Sequence, residues 1–389
     1  MRRYTAAPVS AGAVTSRAVP GTPDWSQGPV CVVGPGAVGG VVAAALLAAG
    51  LDVEVLGRPG PHLDAVARHG FRVDEAATGA RTVARPSRVT SHAHELRRPA
   101  AIVLAVKAPG LDGAAEAIER LGAPDVPVVC ALNGVPWWFF DDSFAEPLRQ
   151  RALHSLDPSG RIREVLPAER VIGCVVQFSA AVVEPGVIRR LGGSQLTLGE
   201  AARQGLGRDA HLAAALTVGG LTARVSADIR AEVWAKLLGN VNFNPISALT
   251  GATVDLIVND PLVSELCVSM MREVIELGEK LGIRTSVTPE ERMRLTGAMG
   301  AFETSMLQDH RRGRPLELAT IVAAVVDMAE HVGLPAPATR AVLGLSRLLQ
   351  HVAHPAVHQT PDQPPTSHRE KRHQFLVRHS PGVKPAVRP

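Results

Sequence analysis

Pro29-Val-Cys-Val-Val33-Gly34-Pro35-Gly36-Ala37-Val38-Gly39-Gly40, running straight into Val41-Val-Ala-Ala-Ala-Leu-Leu-Ala-Ala49, is the stretch that decides the fold. A short β-rich run, a glycine turn and an Ala-rich segment read as strand, tight turn and helix. Each glycine has a mechanical task in that context. Gly34 permits the turn, Gly36 lets a pyrophosphate approach the backbone, and Gly39 lets the helix pack close to the strand. The helix N-terminus offers free N–H groups and a positive dipole end to phosphates. Gly34 to Gly39, with Pro35, Ala37 and Val38 between the glycines, is therefore a candidate dinucleotide cradle.

Working outward, short β-rich runs alternate with helical stretches. Val30–Val33, Val53–Leu56, Ala101–Val106 and Val128–Leu132 read as buried strands, and Val41–Ala49, Leu63–Arg68 and Gly113–Leu121 as crossovers. Such alternation implies a parallel sheet with right-handed connections. Val171–Phe178, Val187–Arg190 and Gln195–Leu198 read as further strands, with turns at Pro185-Gly186 and Gly192-Gly193. From about Asp228 to Leu349 helical periodicity takes over, broken at Gly251, Pro261, Gly282, Gly313 and Gly333. The expected fold is an α/β doubly wound (Rossmann) domain over residues 29–227 and an all-α domain over 228–350, with the active site in the cleft between them. Residues 1–28 read as a disordered extension and 351–389 as a disordered basic tail.

The chain has 389 residues, 46% hydrophobic and 20% charged, a globular composition. Net charge is +4, but residues 351–389 carry six Lys/Arg against two Asp/Glu and residues 1–28 three against one. The body is thus about −2, which disfavours nucleic-acid binding. No apolar run reaches the ~18–20 residues needed to span a bilayer, and the N-terminus lacks the compact apolar block of a signal peptide. Cys31, Cys130, Cys174 and Cys267 lie far apart inside apolar runs. They read as reduced, buried thiols of a cytoplasmic protein, not as a metal site, and the histidines of the tail lack ligand spacing.

Strand ends sharpen the cofactor reading. NAD-specific sites place an acid at the end of the second strand to hold the ribose 2′-hydroxyl. Here Val53-Glu54-Val-Leu56 ends in Gly57-Arg58, and Glu54 lies too early to reach a ribose. Arg58 has the guanidinium fork that pairs with a 2′-phosphate, so NADP(H) is expected. Lys107, after the strand at 101–106, and Asn133, after the strand at 128–132, occupy positions where doubly wound sheets hold ligands. The competing readings are an ordinary loop lysine and a turn-forming Asn-Gly.

In the helical half, Glu232-Val-Trp-Ala-Lys236-Leu-Leu-Gly-Asn240-Val-Asn-Phe-Asn244-Pro245 sets Lys236, Asn240 and Asn244 at i, i+4 and i+8. They form one polar stripe on an otherwise apolar helix, costly unless something polar meets it. Pro245 predicts a kink just after Asn244. Farther on stands Thr304-Ser305-Met-Leu-Gln-Asp309 and, twelve residues after Ser305, Glu317 at the start of an apolar-faced helix. By itself such an acid is a dipole-stabilising residue.

Taken together, GPGAVGG, Arg58, AVK ending at Lys107, LNG at 132–134, VWAKLLGNVNFNP and TSMLQD with Glu317 resemble the ketopantoate reductases (2-dehydropantoate 2-reductases) from about Pro29 to Leu349. The resemblance implies that Lys236 is the general acid, that Asn240 and Asn244 hold the substrate, and that Ser305 contacts its carboxylate. It implies that Glu317 sits beside substrate and nicotinamide, that Lys107 approaches the cofactor, that Asn133 approaches both cofactor and reacting centre, and that Ala181 is a backbone contact for the cofactor. The implied reaction is NADPH-dependent reduction of a small 2-oxo acid to the 2-hydroxy acid, most directly 2-dehydropantoate to pantoate in pantothenate and CoA biosynthesis. A homodimer is left open. Two departures bear on the substrate: a further family asparagine falls at Val254, and Asn133-Gly134 runs into Trp137-Trp138-Phe139-Phe140. Those aromatics read either as an apolar substrate pocket, which would suit a bulkier oxo or hydroxy acid, or as a buried loop anchor. A non-catalytic NADP(H)-binding sensor is the reading from outside enzymes, and retention of Lys236 with Glu317 speaks against it.

Overall fold

In the computed structural model, residues 27–140, 155–202, 207–285 and 287–354 are described. The expectations for the two tails lie almost wholly outside them. Strand β1 (Val30–Val33) is buried throughout and sits between β2 (Val53–Leu56) and β6 (Ala101–Leu104), parallel to both. Its side chains alternate between two cores. Val30 and Val32 face the side packed by α1 (Ala37–Ala48), whereas Cys31 and Val33 join the core that continues into the helical half. That shared core fixes the helices against one face of the sheet.

The strands β7 (Val128–Cys130) and β8 (Val171–Glu184) extend the parallel sheet beyond β6, and β5 (Arg88–Thr90) closes the other edge beside β2. The helices α2 (Pro61–His69) and α3 (Leu111–Arg120) serve as crossovers. Both begin earlier than the apolar pattern indicates, because Pro61 is preset for the first helical position and Leu111 follows a 3₁₀ turn. The sheet is not purely parallel. A long antiparallel hairpin pairs β8 with β9 (Val187–Glu200). On its other side β9 pairs in parallel with β3 (Phe71–Glu75) along one arm and with β10 (Thr222–Val225) along the other, while β4 (Arg81–Ala84) pairs antiparallel with β3. Pro185-Gly186 is the turn between β8 and β9. Gly192-Gly193 is not a turn: it lies inside β9, where the register slips from Gln177↔Gln195 to Ser179↔Gly192. Gly193, at φ +74°, makes a bulge that divides the strand into its two arms.

The helix α6 (Ile229–Thr250) is the axis of the helical half, preceded in the chain by the short α4 (Arg161–Val165) and by α5 (Arg208–Val218). Asp228 caps α6 by accepting from Ala231 N at 3.1 Å, and Gly251 ends it at φ +73°. Val233, Trp234, Leu237, Leu238 and Val241 are buried, and the helix runs on through Pro245. Around α6 pack α7 (Val254–Asn259), α8 (Pro261–Lys280), α9 (Pro289–Gly297), α10 (Ser305–Arg311) and a π turn (Ala319–Ala323), while α11 (Ala324–His331) continues the π turn against α8, and α12 (Pro337–Ala353) packs on α6 again. Pro261 opens α8, and Gly282, Gly313 and Gly333 take positive φ where helical periodicity breaks. Among the described residues no helix is long and apolar enough to cross a membrane.

Candidate active site

The glycine turn sits where β1 gives way to α1, at the point in the sheet where connections leave in opposite directions, the usual ligand position in such sheets. Gly34 has φ +95°, and its N–H donates to Leu56 O at 2.9 Å. A Cβ at Gly39 would run into Gly34 O and reach 3.2 Å from Ala105 Cβ, so only glycine lets the helix approach. Around Gly36, by contrast, nothing lies within 4 Å of where a Cβ would stand. This cradle is open on one side, lined by first-turn N–H groups with no side-chain cap, and it fits a pyrophosphate. His62, which the sequence reading missed, steadies it. Its Nδ1 accepts from Gly186 N at 3.1 Å, so Nε2 carries the hydrogen and donates to Pro35 O at 2.7 Å.

Arg58 stands exposed just past β2 and has no hydrogen bond or ion pair among the described residues. Glu54 is buried within the strand and consumed, accepting from Arg97 N at 2.9 Å and Arg97 Nε at 2.6 Å. Ala181 lies on the far arm of β8, buried opposite Arg189, and the neighbouring Ile188 fills the space where Gly40 would carry a Cβ in the first turn of α1.

The second cluster spans the sheet and the helices. Lys236 Nζ donates to Asn133 Oδ1 at 2.7 Å and to Val176 O at 2.6 Å. Burial pushes this ammonium down from near 10.5 to about 8, against the pull of Cys174 and Glu317 and reinforced by Arg292. The competition between burial and a nearby carboxylate is thus won by burial. Glu317 stands just before the π turn. Burial raises its carboxyl above the usual range, with Asp309 adding to the rise and Lys107 and Lys236 opposing it. Lys107 pairs with Asp309 of α10, a residue of the TSMLQD segment to which the sequence reading gave no role.

Asn133-Gly134 is held against the π turn. Val135 N donates to Thr320 O at 2.8 Å, and a Cβ at Gly134 would fall 2.6 Å from the Thr320 carbonyl carbon. Leu132, Asn133, Trp137, Glu317 and Thr320 share the wall of one narrow cavity. On α6, Asn240 is half-buried beside Lys236, and Asn244 is buried farther along the stripe. Ser305 is exposed at the first position of α10. The structure therefore brings Lys107, Asn133, Lys236 and Glu317 together, continues the stripe through Asn240 and Asn244, and sets Ser305 at its outer margin.

The pocket reading of Trp137–Phe140 gives way to the anchor reading. All four side chains are fully buried. Trp137 Nε1 donates to Leu166 O at 3.1 Å, Phe139 stacks on Trp234 at 5.8 Å between centroids, and Arg230 lies 5.7 Å over Trp138. These rings tie the loop after β7 to the start of α6. Only Trp137 reaches the cavity wall.

Two family models match the chain: ketopantoate reductase PanE/ApbA over residues 30–203 and its C-terminal counterpart over residues 228–350. A 2-dehydropantoate 2-reductase of Mesorhizobium japonicum is 40% identical over 321 residues, covering 82% of this chain and 97% of that protein. The 2-dehydropantoate 2-reductase of Halobacterium salinarum is 30% identical, covering 82% and 98%. Among solved structures, a candidate ketopantoate reductase from Ralstonia solanacearum MolK2 has a TM-score of 0.78 at 41% identity, covering 83% of this chain and 98% of that one. The glycine cradle, the Lys236–Asn133 pair and these likenesses lead to one conclusion: the chain belongs to the ketopantoate reductase family, and it is an oxidoreductase that uses a nicotinamide cofactor.

Proposed function

We propose that the protein reduces 2-dehydropantoate to pantoate with NADPH, in the cytoplasm, within pantothenate and CoA biosynthesis. The observation that carries this reading is the Lys236 ammonium held by Asn133 Oδ1 and Val176 O and lowered to about 8. A lysine near 8 is still protonated at neutral pH and gives up its proton readily, as a general acid must. When bound, the cofactor supplies hydride to the C2 carbonyl of the substrate. Lys236 stabilises the charge that develops on the carbonyl oxygen and then delivers a proton to it. Asn133 holds the lysine in place, and Asn240 and Asn244 orient the substrate along α6. Glu317 stands beside the reacting groups, and Ser305 meets the outer end of the substrate.

For the cofactor, Gly34, Pro35, Gly36, Ala37, Val38 and Gly39 receive the pyrophosphate, Lys107 and Asn133 line its approach, and Ala181 offers backbone. Arg58, free of protein partners among the described residues, takes the 2′-phosphate and makes the protein prefer NADPH. A D-mandelate dehydrogenase of the same fold, 18% identical with a TM-score of 0.71, is solved with NADH. The fold thus leaves cofactor choice to side chains such as Arg58. The chain is proposed to divide at residue 228, with a sheet domain before it and the substrate domain after it. A homodimer is proposed by analogy with the dimeric ketopantoate reductase from Staphylococcus aureus. Burial of the Trp137–Phe140 run argues for a compact acid over a bulkier one. Oxidation of NADPH and of NADH on a panel of 2-oxo acids tests the whole reading. 2-Dehydropantoate should be reduced most efficiently, with NADPH preferred. Turnover confined to bulky aryl oxo acids, or no turnover of any oxo acid, would contradict it.

A further inference from the structure

Gly239 lies on α6 between Lys236 and Asn240, and its missing side chain is put to use. A Cβ at that position would fall within 3.0 Å of Arg292 Nη2, Nε and Cζ. The guanidinium of Arg292, carried by α9, thus lies against the helix one turn from Lys236. Gly239 admits it at the edge of the polar stripe.

Arg292 has no hydrogen bond or ion pair among the described residues, and its Nε is shut off from solvent without an acceptor. Arg292 is half-buried, and a buried Nε left without a partner calls for an explanation. The neighbouring cations differ. Lys236 is held by Asn133 and Val176, and Lys107 and Arg314 both face Asp309. Burial alone lowers the Arg292 guanidinium, with no carboxylate opposing it.

We infer that Arg292 is the receptor for the carboxylate of the 2-oxo acid substrate, a binding and specificity residue that Gly239 makes room for. The inference rests on the reading that the protein reduces a 2-oxo acid. In such a substrate the carboxylate carbon is bonded directly to the carbonyl carbon. A carbonyl oxygen at Lys236 therefore sets the carboxylate alongside, one turn of helix away, where the fork of Arg292 donates to its two oxygens side by side. Ser305 can add a hydrogen bond, but a hydroxyl cannot neutralise the charge.

The test uses the full chain loaded with NADP(H), with oxalate as the binding probe and 2-dehydropantoate and its neutral amide as substrates. Arg292→Met should raise KM for the acid and weaken oxalate binding by about ten- to a hundredfold, the worth of a charge-assisted contact. It should leave kcat and NADPH affinity within about threefold, and should change the amide little. Because an unpaired charge is removed, the thermal midpoint should hold or rise. A folded Arg292→Met protein with acid KM and oxalate affinity within about threefold of the parent overturns the inference. If that variant does not fold, Arg292→Lys decides: it keeps the charge but loses the fork, so oxalate affinity should drop at least severalfold, and unchanged affinity overturns the inference. If the parent reduces no oxo acid while oxalate binding still depends on Arg292, the proposed reaction fails and the anion receptor stands.

Discussion

Lys236 and Asn133, 103 residues apart in the chain, meet at 2.7 Å, and their bond spans the cleft between sheet and helices. Asn133 follows the carboxyl end of β7, and Lys236 points from the middle of α6. The lysine is therefore held by both halves of the protein, and its environment depends on their packing. A second bridge, Lys107 to Asp309, runs beside it from β6 to α10.

That placement predicts a pH dependence. With the ammonium at about 8, the acid needed for reduction is lost as pH rises through that value. The kcat/KM for reduction should be level below about pH 7 and fall about tenfold per unit well above 8. Stability has the opposite sign. Because the folded-state value lies below the ordinary 10.5, the unfolded chain binds more protons between about 8 and 10.5, and this group's penalty on the folded state fades over that window. A reduction profile that stays flat to about pH 9.5 would remove Lys236 from the proton-transfer step.

Cofactor choice is predicted to rest on Arg58. Arg58→Ala should weaken NADPH binding about ten- to a hundredfold while leaving NADH binding and the thermal midpoint nearly unchanged, since no described protein group depends on this side chain. Fluorescence titration with both cofactors reads the difference. Equal binding of NADPH and NADH by the unaltered protein would contradict the assignment.

Gly134 is predicted to be structurally irreplaceable. It holds φ +77°, and a Cβ there would press into the backbone of Thr320. Gly134→Ala should cost roughly 2–4 kcal/mol, from positive φ and from overpacking together. It should also loosen Asn133 and so lower kcat. A melting curve that matches the parent's would show that the π turn gives way freely.

Much of this was legible in the residues. The bounds of β1 and β2 follow from short β-rich runs that end at Gly34 and Gly57, and the stripe Lys236–Asn240–Asn244 follows from helical spacing alone. The strands β3, β4, β5 and β10 were not legible. They are short, partly exposed and interrupted by charge, as in Phe71-Arg-Val-Asp-Glu75, so no continuous apolar run marks them. Gly192-Gly193 carries the composition of a turn, and only the pairing of β8 with β9 reveals a bulge. The contacts of Asp309, His62 and Arg292 join residues distant in the chain, which spacing cannot show. For Trp137–Phe140 the composition suits a pocket as well as an anchor, and burial decides.

The central claim is that Lys236 delivers the proton, and kcat of Lys236→Ala, measured with NADPH affinity and thermal midpoint on the same preparation, tests it most directly. A general acid that also stabilises the carbonyl oxygen predicts a loss of about a hundred- to ten-thousandfold or more in kcat. NADPH should still bind, because the phosphates are held at the glycine turn. The fold should persist, since the variant sheds a buried charge. A folded, NADPH-binding Lys236→Ala protein with kcat within about threefold of the parent would contradict the account, because that loss is far below the general-acid range.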